Sequence, residues 1–474
     1  MASSSKRESV ATLVADLERD LELSVYTTSQ ARDAALEQLK IYGRDPVGSD
    51  AIYTAAGINT IARHAFSTKS HETSRCALRV LANALLLRAD TRSLLVAMGQ
   101  EGKIVQVMRR SSERAANDSW DDEFLGTRIL FLMTYAHGLD LNALVEKYKL
   151  VEVVKANLER HVGLLNKPSN QMDVMETMAL SETAKLVFNI TTKSFEFGHA
   201  FVPVIEPLIS LLWRTNATVV KPLEQPMDLI VNALLNLDLN APAAQTALFP
   251  QHDIERPIAR LIKLLEASLK AYDDTVLEQT VTPLVSVIRS AHKCAPPEPQ
   301  ASIRRVLLPT VKDRESVLGK GESLPARLLA NIANPLTPNL SATVSQLLYD
   351  MSECDAHKFV DNIGYGLASG FLFQQGIAPP DLSRVQELTD DDQEESRNGP
   401  ASTGNLTSQR PTNPITGQFL DAEPAVDLSS MSDEEKEREA ERLFVLFERL
   451  RRNGVMTTDP MRAALEQGKF EELD

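Results

Sequence analysis

Glycine-rich stretches, histidines and cysteines are the residues of this chain that could hold phosphate, metal or substrate. Gly364-Tyr-Gly366-Leu-Ala-Ser-Gly370 has the residue types of a dinucleotide loop, but its spacing is GxGxxxG rather than GxGxxG and no strand precedes it. A tight helix–helix corner fits it better. Gly319-Lys320-Gly321 lacks the spacing and the Ser/Thr of a phosphate loop. The eight histidines include no HExxH, and the nearest pair, His64 and His71, has no carboxylates at ligand spacing. There is no GxSxG, and Cys76, Cys294 and Cys354 lie far apart without a CxxC. The expectation is a protein without covalent catalysis: no catalytic residue, no metal site and no cofactor.

Amides recur more regularly. Lys185-Leu-Val-Phe-Asn-Ile-Thr191 resembles Gln346-Leu-Leu-Tyr-Asp-Met-Ser352 position by position, and Ile129 to Thr134, Leu234 to Asp238 and, more loosely, Val80 to Leu85 fit the same frame. Equivalent positions are Asn83, Leu132, Asn189, Asn236, Arg289 and Asp350, with Asn232 one turn before Asn236. Their spacing sits at or above the roughly 40–47-residue period of armadillo and HEAT repeats. An Asn in an otherwise apolar helix is disfavoured by propensity and burial. It therefore bonds either a neighbouring helix end or a ligand, and a row of them favours a groove, because stacking aligns equivalent positions.

The elements that would carry such a row are helices. Between about residues 10 and 375, apolar residues recur at spacings of three and four, as in Leu78, Leu81, Ala82, Leu85 and Leu86. Breakers such as Pro222 to Pro226 and Pro296-Pro297-Glu298-Pro299 separate the runs. The predicted fold is all-α, an armadillo/HEAT-like right-handed superhelical solenoid over residues 1–380. No signal peptide or membrane-length apolar run is present, so a cytoplasmic protein is expected.

The formal net charge of −15 is unevenly spread: residues from Asp381 onward hold 22 acids and 11 bases, leaving the body nearly balanced. Such a chain does not coat nucleic acid. Residues 381–431 read as an acidic, mostly disordered linker, because they cannot bury enough apolar surface. Thr389, followed by three aspartates, suits an acid-directed kinase. Residues 432–453 read as an amphipathic helix with Ala440, Leu443, Phe444, Phe447 and Leu450 on one face and a capping box at Ser432, followed by a tail over 454–474. Without a core of its own, that helix must dock on the solenoid or on a partner.

The succession Leu186 to Thr191, Phe359-Val-Asp-Asn-Ile-Gly-Tyr-Gly-Leu-Ala-Ser-Gly-Phe-Leu-Phe373, the acidic segment, Asn413-Pro-Ile-Thr-Gly417 and Met431 to Ala440 resembles the synembryn family. Its members are exchange factors and folding chaperones for heterotrimeric G-protein α subunits. The resemblance implies a solenoid gripping the α subunit's C-terminal helix in a concave groove, with Lys40, Arg44, Asn83 and Arg327 as contact residues. Asn189, Asn232 and Asn236 join them from the row. A lysine at position 40 keeps charge without the guanidinium fork. The resemblance places the terminal helix, through Leu443, Phe444, Phe447 and Leu450, near the α subunit's switch region, and Thr389 at the family's phosphorylated segment. It implies a monomer that meets membranes only indirectly, through the α subunit.

The alternative on the same fold is an importin-like or scaffold solenoid binding a linear peptide without exchange. Such grooves carry regularly placed Trp, whereas Trp120 and Trp213 are out of repeat register.

Overall fold

The computed structural model describes residues 2–23, 26, 28–113, 120–164, 172–215, 218, 220–378, 380 and 410–423, with isolated positions between 432 and 445. The chain is all-α and fits a solenoid. Among the described residues there is no strand, only an isolated antiparallel bridge between Thr412 and Phe419. No helix among them is long and apolar enough to cross a membrane. Two compact units are present, residues 1–271 and 272–474.

The first unit runs α1 (Ala2–Leu23), α2 (Ser29–Tyr42), α3 (Ala55–Phe66), α4 (His71–Leu87), α5 (Asp90–Ala97), α6 (Glu101–Glu113) and α7 (Asp121–Met133). It continues with α8 (Leu150–Leu164), α9 (Val174–Thr191), α10 (Phe195–Ala200), α11 (Ile205–Arg214), α12 (Met227–Leu234), α13 (Pro242–Leu248) and α14 (Arg256–Ala271). Side-chain caps start many of them: the oxygens of Thr28, Thr54, Ser70 and Asp173 accept from the amides of Ala31, Gly57, Thr73 and Glu176.

Two layers result. Helices α2, α4, α7, α9 and α12 pack each on the next as one row. Behind it lie α3, α6, α8 and α11, packed on α4, α7, α9 and α12 respectively. Leu78, Leu81, Leu85, Ile129, Leu130, Leu186, Val187 and Ile230 are buried between the layers. Burying such a side chain contributes about 1.5–3 kcal/mol before entropy is counted. Close approach is built in at two glycines. A Cβ on Gly57 would lie 2.1 Å from the Ala51 carbonyl oxygen, and one on Gly198 2.3 Å from that of Asn236.

The second unit holds α15 (Asp274–Cys294), α16 (Pro297–Leu307), α17 (Leu324–Ile332), α18 (Pro338–Met351), α19 (Ala356–Ile363) and α20 (Tyr365–Gln374). Helix α18 packs on α15, α17 and α20. Glu278 of α15 caps α18, accepting from the backbone amides of Asn339 at 2.9 Å and Leu340 at 3.1 Å. Gly364, at φ +81°, turns the chain between α19 and α20, so the glycine-rich stretch is a helix–helix corner.

Residues 410–423 depart from the expected linker. They form a closed turn folded onto the second unit, with Phe419 only 1% exposed. Their order comes from backbone hydrogen bonds, contacts of Arg314, Arg410 and Gln418, and one buried aromatic side chain, too little apolar surface to mark the segment by its composition. The rest of 381–431, including Thr389, and the helix residues Leu443, Phe444, Phe447 and Leu450 lie outside the described residues.

Candidate partner-binding face

Four of the self-similar segments fall on α4, α7 and α9 and at the end of α12, with Gln346 to Ser352 on α18 of the second unit, so within the row the equivalent positions recur near helix C-terminal ends. Between those ends and the helix starts runs a band of paired charges. Arg79 of α4 reaches Glu37 of α2 at 3.6 Å and Asp121 of α7 at 3.0 Å, while Arg75 pairs with Asp122 at 2.8 Å. Arg128 of α7 meets Glu182 of α9 at 2.8 Å, and Lys185 meets the same carboxylate at 3.0 Å. Burial pushes the Asp228 carboxyl of α12 up, with Lys185 opposing. Asp122 and Glu182 are buried, so these pairs tie adjacent helices together. Their cations are already committed to acids of this chain.

Aromatic side chains accompany this band, from Phe124 in the first turn of α7 onward, and amides join them toward the helix C-termini. Phe124, Phe131, Phe188, Asn189, Asn232, Leu235 and Asn236 are half-buried, and Tyr135 is 54% exposed. Phe131 and Tyr135 meet edge to face with centroids 5.4 Å apart. Arg128 lies 5.6 Å from the Phe124 centroid, and the Lys185 ammonium 5.9 Å from that of Phe131. This aromatic band was not anticipated. Its signal is the spacing of Phe124, Arg128 and Phe131 along one face of α7, continued by Tyr135 just past its end, which sets aromatic rings around one guanidinium at the surface.

The amide row divides. Asn189 donates to the Thr134 hydroxyl at 2.9 Å, and Asn236 donates to that of Thr192 at 2.8 Å. Thr134 follows α7 and Thr192 follows α9, so each Asn is bonded to the end of the preceding row helix. Of the two alternatives open from the sequence, a neighbouring helix end or a ligand, one amide N–H of each of these two takes the first. Asn83 and Asn232 are half-buried and make no side-chain hydrogen bond among the described residues. Of the frame's other members, Arg289 and Asp350 bond each other.

The basic residues also divide. Lys40, in the last turn of α2, pairs with Glu37. Burial alone would raise the Glu37 carboxyl, but Lys40 and Arg79 hold it below its ordinary value. Arg44 is exposed just after α2 and has no ion pair among the described residues. Arg327 of α17, in the second unit, is paired with Glu322. Among the described residues Lys40 and Arg327 are each paired with an acid, and Arg44 has no ion pair.

Behind the face a buried cluster fixes α7, α8 and α9. His161 of α8 lies 3.0 Å from Glu123 of α7 and 3.4 Å from Glu176 of α9, and Trp120 stacks on its ring at 4.4 Å. Thr183 donates to Glu123 at 2.8 Å, and Arg160 sits 3.7 Å from the Trp120 centroid. Burial opposes charging of His161, yet the two carboxylates raise its pKa to about 9. The His161 charge in turn outweighs burial at Glu123 and holds that carboxyl below its ordinary value. Among the described residues, no group of three His, Cys, Asp or Glu could hold a metal ion. Burial, with Glu37 and Glu72 nearby, pushes the Cys76 thiol up to about 12, which makes it unreactive.

Among the described residues the helices thus form an all-α row with a charged, amide-bearing and aromatic face. The sequence model of the family described as Ric8, guanine nucleotide exchange factor synembryn, matches residues 35–469, and the chain belongs to that family. It is similar to a synembryn-like chaperone of Schizosaccharomyces pombe, 26% identical over 74% of this chain and 66% of that protein. It is also similar to chaperone Ric-8A of Pongo abelii, 25% identical over 71% of this chain and 64% of the relative. Chaperone Ric-8A of Mus musculus is 24% identical over 89% of this chain and 81% of that protein. The chain thus spans just under two thirds of the length of the first two relatives.

Proposed function

We propose that this protein is a guanine nucleotide exchange factor and folding chaperone for heterotrimeric G-protein α subunits, acting without covalent chemistry. Family membership across residues 35–469 carries the reading. The open face of the α2–α4–α7–α9–α12 row supports it physically. Phe124, Phe131, Tyr135 and Phe188 offer an apolar bed for one side of an amphipathic helix. Asn83, Asn232 and Arg44 offer donors for its polar groups or terminal carboxylate. The ligand assigned to this face is the α subunit's C-terminal helix.

Exchange is then a matter of linkage. A protein that binds the nucleotide-free α subunit better than the nucleotide-bound one weakens nucleotide binding by the same factor. Drawing the C-terminal helix onto the row loosens the nucleotide site, and the same contacts cover apolar surface of a folding intermediate. The working location is the cytoplasm, with membranes reached through the α subunit. The decisive measurement is release of labelled GDP from purified α subunits of the same organism. Release accelerates when the protein is added, and refolded α subunit yields rise. Binding of the C-terminal peptide without either effect favours the scaffold alternative.

A further inference from the structure

Residues 410–423 are attached to the second unit by more than chain connectivity. The segment closes on itself: the Asn413 amide donates to Gln418 O at 2.7 Å, Gly417 N to Asn413 O at 2.8 Å, and Leu420 N to Pro411 O at 2.9 Å. It then completes the α19–α20 corner. Gly364 stands at the N-cap of α20 and has no side chain to cap it, so strap carbonyls take that part. Tyr365 N donates to Pro414 O at 2.8 Å and Gly366 N to Ile415 O at 2.9 Å. Arg314, itself buried, donates to Gly417 O at 2.9 Å and to the last carbonyls of α19, Asp361 O at 2.7 Å and Asn362 O at 3.1 Å. The Phe419 amide returns a bond to Arg314 O at 2.9 Å, and its ring is buried beneath Arg410, whose guanidinium carbon is 4.0 Å from the centroid. A Cβ on Gly364 or Gly366 would meet Ile415 O at 2.8 or 3.0 Å, so the corner's glycines leave room for the strap.

We propose that residues 410–423 are a clamp that fastens the chain to the α19–α20 corner independently of the covalent path through residues 381–409. The acidic segment is then a side loop with both ends on one unit, and its length does not set the reach of the terminal segment. Everything beyond Glu423 is tethered through residues 424–431 alone. Their fully extended span is below about 30 Å, against about 170 Å for 381–431 as one free linker. The terminal amphipathic segment becomes a short arm of the second unit. This inference does not depend on the proposed exchange activity.

The test is to place a site-specific protease sequence between residues 396 and 401 of the full-length chain, cut it, and run the product on native size exclusion. The two pieces co-elute, stay together on dilution and separate only in denaturant. The amides of Tyr365 and Gly366 keep their protection from hydrogen exchange after cutting. Phe419→Ala in the cut protein speeds fragment loss by roughly a hundredfold or more and exposes those two amides. Free elution of the C-terminal piece from a folded wild-type body overturns the proposal. So does equal retention by Phe419→Ala, since something other than the clamp would then hold the fragment.

Discussion

His161 is enclosed by Glu123 of α7, Glu176 of α9 and Arg160 of its own helix, so the packing of three helices sets its charge. Its folded-state pKa of about 9 lies above the ordinary 6.5. The stability it contributes is fully present below about pH 6.5 and is lost as pH rises through about 9. Glu123 is shifted down from 4.5, so its contribution is present above that value and is lost as acid is added. Denaturant midpoints measured from pH 6.5 to 9 should therefore fall. His161→Gln should flatten that slope and cost about 3–5 kcal/mol at pH 7, because it leaves Glu123 buried without its counter-charge. Adding Glu123→Gln to that variant should recover part of the loss. Arg44 gives the second residue-level prediction: Arg44→Glu should weaken α-subunit binding about tenfold while leaving helical circular dichroism unchanged. Equal binding would remove Arg44 from the contact surface.

Between neighbouring row helices, the Asn–Thr bonds and the charge band perform different tasks. Asn189→Ala should destabilise the fold by about 1 kcal/mol, since it removes one half-buried hydrogen bond, with the loss visible in urea titration. Tyr135→Ala should leave the urea midpoint nearly unchanged yet weaken α-subunit binding about tenfold or more, because the ring is more than half exposed. The frame that places Asn83 and Asn189 on α4 and α9 and Asn236 just after α12 was legible, since apolar periodicity and segment self-similarity are local properties. What these amides bond was not. Thr134 and Thr192 lie 55 and 44 residues from their partners, and nothing in a local pattern reports such a pairing. Lys40 and Arg327 differ, because their acids Glu37 and Glu322 lie only three and five residues away, so local spacing offers those pairings and the structure shows them formed. The strap was hidden for another reason: its anchors are carbonyls, one Arg and one Phe inside an acidic, aperiodic stretch. Only the glycines of the corner and Asn413-Pro-Ile-Thr-Gly417 marked it.

For the molecule as a whole, the unequal division of charge acquires a geometry. In sequence, the acidic segment runs between residue 380 and the strap, and eight residues separate Glu423 from residue 432. Deleting residues 432–474 should leave binding of the α subunit's C-terminal peptide intact and reduce nucleotide exchange several-fold. Full exchange by the truncated protein would remove that segment from the mechanism. The two units also carry different thiols. Cys76 is buried beneath the Glu37–Arg79 pairing with its pKa near 12, whereas Cys354 is exposed in the second unit. In a Cys294→Ser background, which removes the half-buried third thiol, a maleimide pulse should label Cys354 at once and Cys76 only when α2 lifts from α4. The slow labelling phase is thus an internal clock for breathing of the first repeats, and partner binding on the row should stop it.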